Sequence, residues 1–310
     1  MSEPTAGGTP LEAIARDILR AGIGGRLPTT TEYQSRLGVG SGTVQKALRD
    51  LRGGGAVDVV SRGHQGTFVT DLHVGRLWSA ARLAPVHVLL PPSSPPEAVR
   101  IAGGLSDAFA LTGATTTVGL LRGAAARLDA VDAGEADLAV MSAGAAHDLV
   151  AEDSGRLLLA LGPGTYYAPG TLVVVNRPEP PERPRIGIDP RSDDHQRLTR
   201  AQFPVDEHTY VTTDFTLVPR ALVEGRIDAG IWHTVDTLIP LEAVGLSLSP
   251  LSRPEASELA EHISGAVLVA RADSIPGILL TRLPQGRLLE FCSTRKSGGS
   301  TPGSLRLRIP

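Results

Sequence analysis

Apolar residues near the start of the chain recur at helical spacing and predict three short helices. The first predicted helix begins at Pro10 and ends at Gly22, and a threonine-to-glutamate capping box at Thr29 to Glu32 starts a second, which Gly38 ends. The third is predicted from Ser41 to Arg52. Its inward face consists of Val44, Ala47, Leu48 and Leu51.

Two runs of alternating polarity follow the third helix and predict a hairpin. They extend from Val57 to Ser61 and from Thr67 to Thr70, and they flank the basic, glycine-rich segment Arg62 to Gly66. Three helices with a tight turn before the third, followed by a hairpin, are typical of a winged helix-turn-helix that binds double-stranded DNA. The alternative is a small helical subdomain whose third helix has an ordinary solvated face.

The predicted DNA contacts lie on the third helix and at the tip of the wing. Gln45 and Arg49 have side chains that can pair with adenine and guanine, whereas Lys46 and Arg52 suit phosphates. The complete set is Thr43, Gln45, Lys46, Arg49, Arg52, Arg62 and His64.

After residue 85 the pattern changes to short apolar runs separated by helical stretches. The runs begin at Val86, Thr116, Leu138, Leu157 and Leu172, and their lack of polar alternation predicts strands buried on both faces, hence a parallel sheet covered by helices. The predicted organisation is a loose tail (1–9), a winged helix-turn-helix domain (10–71), a linker helix (72–84), a two-lobed α/β domain (85–290) and a C-terminal tail (291–310).

An internal sequence repeat supports two lobes of similar construction. Residues 130–141 and 221–232 share a pattern in which a helix ends at a glycine, Gly134 or Gly225, and an aspartate three residues later, Asp137 or Asp228, opens a buried strand. Between the copies, residues 162–182 are rich in Pro, Gly and Tyr and suit a crossing between hinged lobes.

Candidate ligand contacts are expected at the carboxyl ends of the strands and in the crossing segment, where helix N-termini point amides into a cleft. Hydroxyls and a guanidinium at such positions suit a small polar or anionic effector, although ordinary helix capping also explains Ser94, Ser142, Ser192 and Thr213. The predicted set is Ser93, Ser94, Arg122, Gly123, Ser142, Tyr166, Tyr167, Asp189, Ser192, Thr213, Trp232 and His233.

Charge and cysteine content narrow the class of protein. The net charge is −3, but residues 1–75 contain 8 basic and 7 acidic residues against 22 and 26 in the remainder. This excess of positive charge in the head fits DNA binding. A single cysteine excludes an intramolecular disulfide and a cysteine-based zinc site, and the sequence predicts no metal, no cofactor and no membrane span. A cytoplasmic location is expected.

Sequence motifs of enzymes are weak. The chain lacks a Gly-x-Ser-x-Gly elbow, a P-loop and a His-Glu-x-x-His pair. His195, beside two aspartates, is expected to be solvated. The enzyme alternative rests on Asp189 and His233 meeting across the cleft, and a third possibility is a DNA-binding protein whose body serves for dimerisation.

The head resembles the GntR-type winged-helix regulators, and more narrowly their YhfZ-type members. The resemblance lies in Leu27 to Tyr33, Gly38 to Leu48 and Gly63 to Val69. In the body, Arg122-Gly123, Asp137 to Ser142, Ile186 to Asp189 and Ile227 to Trp232 resemble the C-terminal domain of the same group, which is similar to type 2 periplasmic binding proteins.

This resemblance covers about residues 10 to 240 and implies a ligand-responsive regulator, non-enzymatic, that binds DNA as a homodimer. Two departures stand out. Gly40-Ser41 replaces the usual Ser-Arg, which removes a helix cap and an arginine at the start of the third helix. Prolines and serines at 91–96 replace an aromatic residue, so we expect a ligand different from that of the relatives.

Overall fold

The computed structural model describes residues 8–92, 96–151, 154–234, 240–283 and 290. Its N-terminal part is a small helical domain with a three-stranded antiparallel sheet in the order β1-β3-β2. The core contains Ile14, Ile18, Tyr33, Val44 and Leu51. The elements are α1 Pro10–Ala21, β1 Arg26–Leu27, α2 Thr30–Leu37, α3 Ser41–Gly53, β2 Val57–Ser61 and β3 Thr67–Leu72.

Local capping chemistry explains where these helices begin and end. At α2 the Thr29 hydroxyl accepts from the Glu32 amide at 3.2 Å while the Glu32 carboxylate accepts from the Thr29 amide at 2.6 Å, which confirms the capping box. Gly38 ends α2 in the left-handed conformation. At α3 the N-cap is Gly40, which makes no side-chain capping bond in the described structure, as the sequence departure predicted.

The helix predicted over 72–84 is shorter and belongs to a core. Strand β3 continues through Leu72, so the helix, α4, spans Val74–Ala80. Its Leu77 and Trp78 are buried in the same cluster as Ile14 and Ile18 of α1. The expectation of a separate connecting helix is therefore corrected, because the apolar face of α4 packs on α1.

The body consists of two α/β lobes. Its elements are β4 Val86–Leu90, α5 Pro96–Leu111, β5 Thr116–Leu120, α6 Ala124–Asp132, β6 Leu138–Ser142, α7 Ala143–Leu149, β7 Arg156–Ala160, β8 Leu172–Asn176, β9 Arg185–Ile188, α8 Asp193–Gln202, β10 Thr209–Thr212, α9 Val218–Val223, β11 Ala229–His233, β12 Ser247–Pro250, α10 Pro254–His262, β13 Ala266–Arg271 and α11 Ile275–Arg282.

The sheets of the two lobes have equivalent strand orders and mixed direction. The first lobe has the order β5-β4-β6-β13-β7 and the second β10-β9-β11-β8-β12. In each, the first three strands are parallel, and the last two are joined by antiparallel pairing. The predicted all-parallel sheet is wrong. Strand β8 follows the strands of the first lobe along the chain but joins the sheet of the second lobe, and β13 follows the second lobe but joins the sheet of the first. Both strands are antiparallel to their neighbours. Edge strand β5 is also half-exposed, with Val118 at 52%.

The internal sequence repeat has the same structural role in both lobes. Gly134 and Gly225 adopt positive φ angles of 74° and 69°, as the helix-end pattern predicted. The Asp137 carboxylate accepts from the His87 amide at 2.8 Å, and the Asp228 carboxylate accepts from the Arg185 amide at 2.9 Å. Each aspartate thus ties the start of one parallel strand to the next.

The chain crosses between the lobes at residues 161–171 and again at 251–265, and hydrogen bonds join the two crossings. The amides of Tyr166 and Tyr167 donate to the Ser264 carbonyl at 2.8 and 3.1 Å, and the Ala266 amide donates to the Thr165 hydroxyl at 2.8 Å. The first crossing lies in the segment that the sequence predicted to cross between the lobes. The second was not predicted, because residues beyond 253 carry no recognisable motif.

The head is attached to the body at the end of α11. The Arg282 guanidinium donates to the carbonyls of Leu19 and Arg20 at 2.8 Å each, and these carbonyls lie at the C-terminus of α1. A cation there satisfies orphan carbonyls and interacts favourably with the helix dipole. The body thereby caps a helix of the head.

We expect Arg282→Met to lower the free energy of unfolding by about 1–2 kcal/mol, because two carbonyl acceptors lose a charged donor while the aliphatic packing is kept. Urea unfolding measures this. Arg20→Met is the matched control, since Arg20 is exposed and its nearest carboxylate, Asp17, lies 3.8 Å away; its change should stay within about 0.5 kcal/mol. Equal losses in the two variants would contradict a stabilising role for the contact.

In the described part of the chain, no helix combines the length and apolar character required to cross a membrane.

Candidate functional site

The residues predicted to contact DNA lie on one exposed surface of the head. Buried Val44, Ala47 and Leu51 face the core, and Leu48 is partly buried. The opposite face of α3 and the tip of the wing are exposed. There the structure places Thr43, Gln45, Lys46, Arg49, Arg52, Arg62 and His64, all with exposed side chains.

This exposed surface makes two kinds of contact within the protein: a weak ion pair, and contacts that hold side chains beside the wing. Lys46 pairs with Asp50 at 2.8 Å, an exposed contact one helical turn apart that a phosphate can replace at little cost. The Arg62 guanidinium lies 5.0 Å from the centre of the Phe68 ring, which holds it beside the wing. Arg26 also packs against Gly66 of the wing, and sequence reasoning missed it because β1 is two residues long.

The second candidate region is a cleft of about 260 Å³ between the lobes. It lies at the carboxyl ends of β6 and β9, where the N-termini of α7 and α8 begin. The wall from the first lobe includes Arg122, Arg127 and Ser142, and the wall from the second includes Asp189 and Asp194. The remaining lining residues are Pro91, Pro92, Gly123, Ala124, Ala145, Tyr166, Tyr167, Arg191, Ser192, Asp193, Phe215 and Thr216.

Arg122 bridges the two lobes. Its guanidinium pairs with the carboxylates of Asp189 and of Asp214, the latter at 2.6 Å, and Asp214 also pairs with Arg191 at 3.1 Å. Asp189 is 1% exposed and further accepts from the amides of Arg191 and Phe215 at 3.0 and 2.8 Å. The hydrogen bond from Arg122 lowers the pKa of the Asp214 carboxyl. The charge of Arg122 is therefore neutralised within the protein.

Arg127, which sequence reasoning missed, is the deeply buried cation of the cleft. It is 3% exposed, and its guanidinium donates to the carbonyls of Leu121 and Val140 at 2.9 and 3.2 Å. Among the described residues it has no carboxylate within 4 Å. Its position within the predicted helix α6 marked it as an ordinary helix residue, so no sequence signal distinguished it.

Contacts between α7 and α8 also span the cleft. Ser142 and Asp194 both line the cleft, and Arg197 of α8 pairs with Asp148 of α7. Burial raises the pKa of Asp194 to about 6, because the charged form loses water at the lobe interface. Ser142 and Ser192 also cap α7 and α8, which agrees with the capping alternative for both.

The tyrosine pair of the crossing segment forms one wall of the cleft. The rings of Tyr166 and Tyr167 meet edge to face with centroids 4.8 Å apart. Burial raises the pKa of Tyr166 to about 12, so its hydroxyl remains protonated at neutral pH and can donate.

His195 is buried and neutral, which corrects the expectation of a solvated side chain. Its Nδ1 accepts from the Asp189 amide at 3.0 Å, and Nε2 lies 3.3 Å from the Ile231 carbonyl, to which it can donate. Burial lowers the pKa of His195 to about 4. The side chain thus fixes the loop that carries Asp189 through an uncharged contact.

The predicted ligand contacts divide into three groups. Arg122, Gly123, Ser142, Tyr166, Tyr167, Asp189 and Ser192 line the cleft. Thr213, Trp232 and His233 are buried and do not line this cleft: the Thr213 hydroxyl donates to the Val211 carbonyl, and the rings of Trp232 and His233 pack with Phe215. Ser93 and Ser94 lie outside the described residues.

A larger cavity of about 800 Å³ lies beside the first crossing, between residues 163–173 and strand β12 with α10. Its lining is mainly apolar and small, with Glu261 as the charged member. Chemistry that selects a polar ligand converges in the smaller cleft. Within the described ranges, no group of three histidine, cysteine or acidic residues is placed to hold a metal ion.

Comparisons with known proteins match both parts of the chain. A family model described as the YhfZ C-terminal domain matches residues 73–282, and one described as a helix-turn-helix domain matches residues 22–69. The uncharacterized protein YhfZ of Escherichia coli (strain K12) is 28% identical over 270 residues, which cover 87% of each chain.

Solved structures are similar as well. The crystal structure of YhfZ from Shigella flexneri is 26% identical, with a TM-score of 0.51 over 70% of this chain and 92% of that chain. A hydrogen peroxide-bound mutant of OxyR from Corynebacterium glutamicum is 14% identical, with a TM-score of 0.44 over 91% of each chain.

Proposed function

Because the chain belongs to the YhfZ family and has an N-terminal helix-turn-helix domain, we propose that it is a ligand-responsive transcriptional regulator. The observation that carries this proposal is the exposed face of α3, with the basic wing beside it and the apolar face in the core. The head binds operator DNA, and the cleft of the body binds a small polar or anionic effector.

Finer assignments follow from the sequence patterns and the topology. The head is of the GntR type, and the equivalent strand orders of the two lobes support a body of the type 2 periplasmic-binding-protein kind. Regulation then proceeds by population shift: ligand closes the cleft and favours one arrangement of two heads in a homodimer. The contact of Arg282 with α1 transmits this change to the head.

The enzyme alternative depends on Asp189 and His233 meeting across the cleft. Asp189 and His233 both belong to the second lobe, at the ends of β9 and β11, so they do not face each other across the cleft. Asp189 binds Arg122, and His233 lies behind the lining. We therefore propose a non-enzymatic role.

The experiment that tests the regulator is fluorescence anisotropy of the full chain with DNA from upstream of its own gene and with scrambled DNA, at two salt concentrations. Tight, sequence-dependent binding that weakens with salt is expected. Equal, weak binding to both, together with no enriched sequence when the protein selects from random duplexes, would contradict the proposal.

In the same assay, Arg49→Ala should weaken binding to the preferred DNA by about 1–3 kcal/mol and relax specificity at one base pair, because a base-reading guanidinium is lost. Arg52→Ala is the matched comparison. A phosphate contact should weaken all sequences alike and reduce the salt dependence. Unchanged affinity of Arg49→Ala for every sequence would show that α3 meets DNA with another face.

A further inference from the structure

The cleft contains a buried cation without an anionic partner in the described part of the protein. Arg127 uses two of its five N–H groups on the carbonyls of Leu121, directly after β5, and of Val140, within β6. Its other donors have no acceptor among the described residues, and Arg122, by contrast, is already neutralised by Asp189 and Asp214. A buried guanidinium that has unused N–H donors and no carboxylate partner favours an anionic group from a ligand.

The opposite wall carries an acid that lacks a cationic partner. Asp194 extends from the first turn of α8 toward α7 of the first lobe and lines the cleft. In the described part of the chain no Arg or Lys nitrogen lies within 4 Å of its carboxylate, since Arg197 pairs with Asp148 instead. An ammonium group is the natural partner for such a carboxylate.

The two groups face the same small space. Arg127 and Asp194 both line the 260 Å³ cleft, and Tyr166 and Tyr167 line the same space. A simple anion would leave Asp194 unpaired, and a simple amine would leave Arg127 unpaired. A molecule with both charges satisfies both walls, and the volume limits it to a small molecule.

We propose that the cleft binds a small zwitterion of the amino acid class, whose carboxylate pairs with Arg127 and whose ammonium pairs with Asp194. This inference rests on the proposed function, since it names the ligand class of the same cleft. Because Arg127 belongs to the first lobe and Asp194 to the second, the ligand itself joins the lobes. Closure then depends on the presence of both charges.

The test is calorimetric titration and thermal shift of the full chain at neutral pH with the common amino acids, followed by matched analogues of each compound that binds. The des-amino carboxylate lacks the ammonium, and the methyl ester lacks the carboxylate. We expect an amino acid to raise the melting temperature and each analogue to bind roughly 10- to 100-fold more weakly. No binding by any amino acid, or equal binding of the des-amino analogue, overturns the proposal.

Substitutions of Asp194 and Arg127 test which charged group of the ligand each residue binds. Asp194→Asn should reduce the affinity for the amino acid to that of its des-amino analogue while leaving the analogue's own affinity unchanged. Arg127→Gln, and Arg127→Lys where the first does not fold, should weaken both compounds about tenfold or more. Asp206→Asn, an exposed acid of the second lobe outside the cleft, is the control and should change neither. A loss of both compounds in Asp194→Asn would contradict the assignment.

DNA anisotropy on the same samples separates the two proposals. Sequence-dependent DNA binding without amino acid binding overturns the zwitterion and retains the regulator. Amino acid binding without sequence-dependent DNA binding retains the zwitterion site and overturns the regulator.

Discussion

Asp189→Ala is expected to lower the free energy of unfolding of the body by about 3–5 kcal/mol. The carboxylate is buried, binds Arg122 of the opposite lobe, and accepts from the amides of Arg191 and Phe215. Its removal leaves two backbone donors without an acceptor and takes one of two carboxylates from Arg122. The melting temperature should fall by roughly 10 °C, which differential scanning calorimetry measures.

Two further variants make this prediction specific. Asp189→Asn keeps a carbonyl oxygen for one amide but loses the charge, so its loss should be intermediate. Asp206→Ala removes an exposed carboxylate from the same lobe and should change stability by less than about 0.5 kcal/mol. If Asp189→Ala were as stable as Asp206→Ala, the bridge would contribute nothing to the fold.

The stability of the body should respond to acid through two adjacent residues with opposite signs. His195 is neutral in the fold, and its pKa of about 4 lies below the ordinary 6.5, so its contribution is complete above pH 6.5 and is lost as the pH falls toward 4. Asp194 has a raised pKa of about 6 against 3.8, so the fold gains stability as the pH falls from 6 toward 3.8. Each contribution is about 2–3 kcal/mol, and they largely cancel.

Single variants expose the separate contributions. Between pH 7 and pH 4, Asp194→Asn should lose about 2–3 kcal/mol more stability than the unmodified chain, because the His195 contribution is then unopposed. His195→Gln should lose less than the unmodified chain by a similar amount. Urea unfolding at a series of pH values measures both, and the other carboxylates cancel in the comparison. Parallel pH curves for all three proteins would contradict the buried, neutral state of His195.

Sequence-based prediction succeeded wherever short-range chemistry decides the structure. The capping box at Thr29, the glycine stops at Gly22 and Gly38, and the helix-end glycines Gly134 and Gly225 were predicted because each depends on residues within a few positions. The same holds for the exposed face of α3, whose polar and apolar positions follow from helical periodicity. Seven of the predicted ligand contacts lie in the cleft lining, five of them at strand ends or helix starts and two, Tyr166 and Tyr167, in the crossing segment.

The cleft residues that were missed depend on contacts between distant segments. Arg127 has the sequence context of an ordinary helix residue, and its lack of a carboxylate partner in the described structure follows from the packing of α6 on β6 and the end of β5. His195 was expected to be solvated, and the packing of α8 on β11 buries it, while Asp194 beside it is partly buried. Trp232 and His233 end a strand as predicted, but Phe215 covers them on the way to the cleft.

By itself, the sequence determined the local elements of this protein: the winged head with its exposed α3 face, the two repeated α/β units and the first crossing segment between them. Helical periodicity, capping and glycine conformation act over a few residues, so they can be read from the order of amino acids. Tertiary structure decided the mixed sheets, in which β8 and β13 cross from one lobe into the other, and the second crossing at 251–265. It also decided which charges of the cleft neutralise each other, because ion pairing and burial depend on side chains that are distant in sequence and meet after the lobes have assembled.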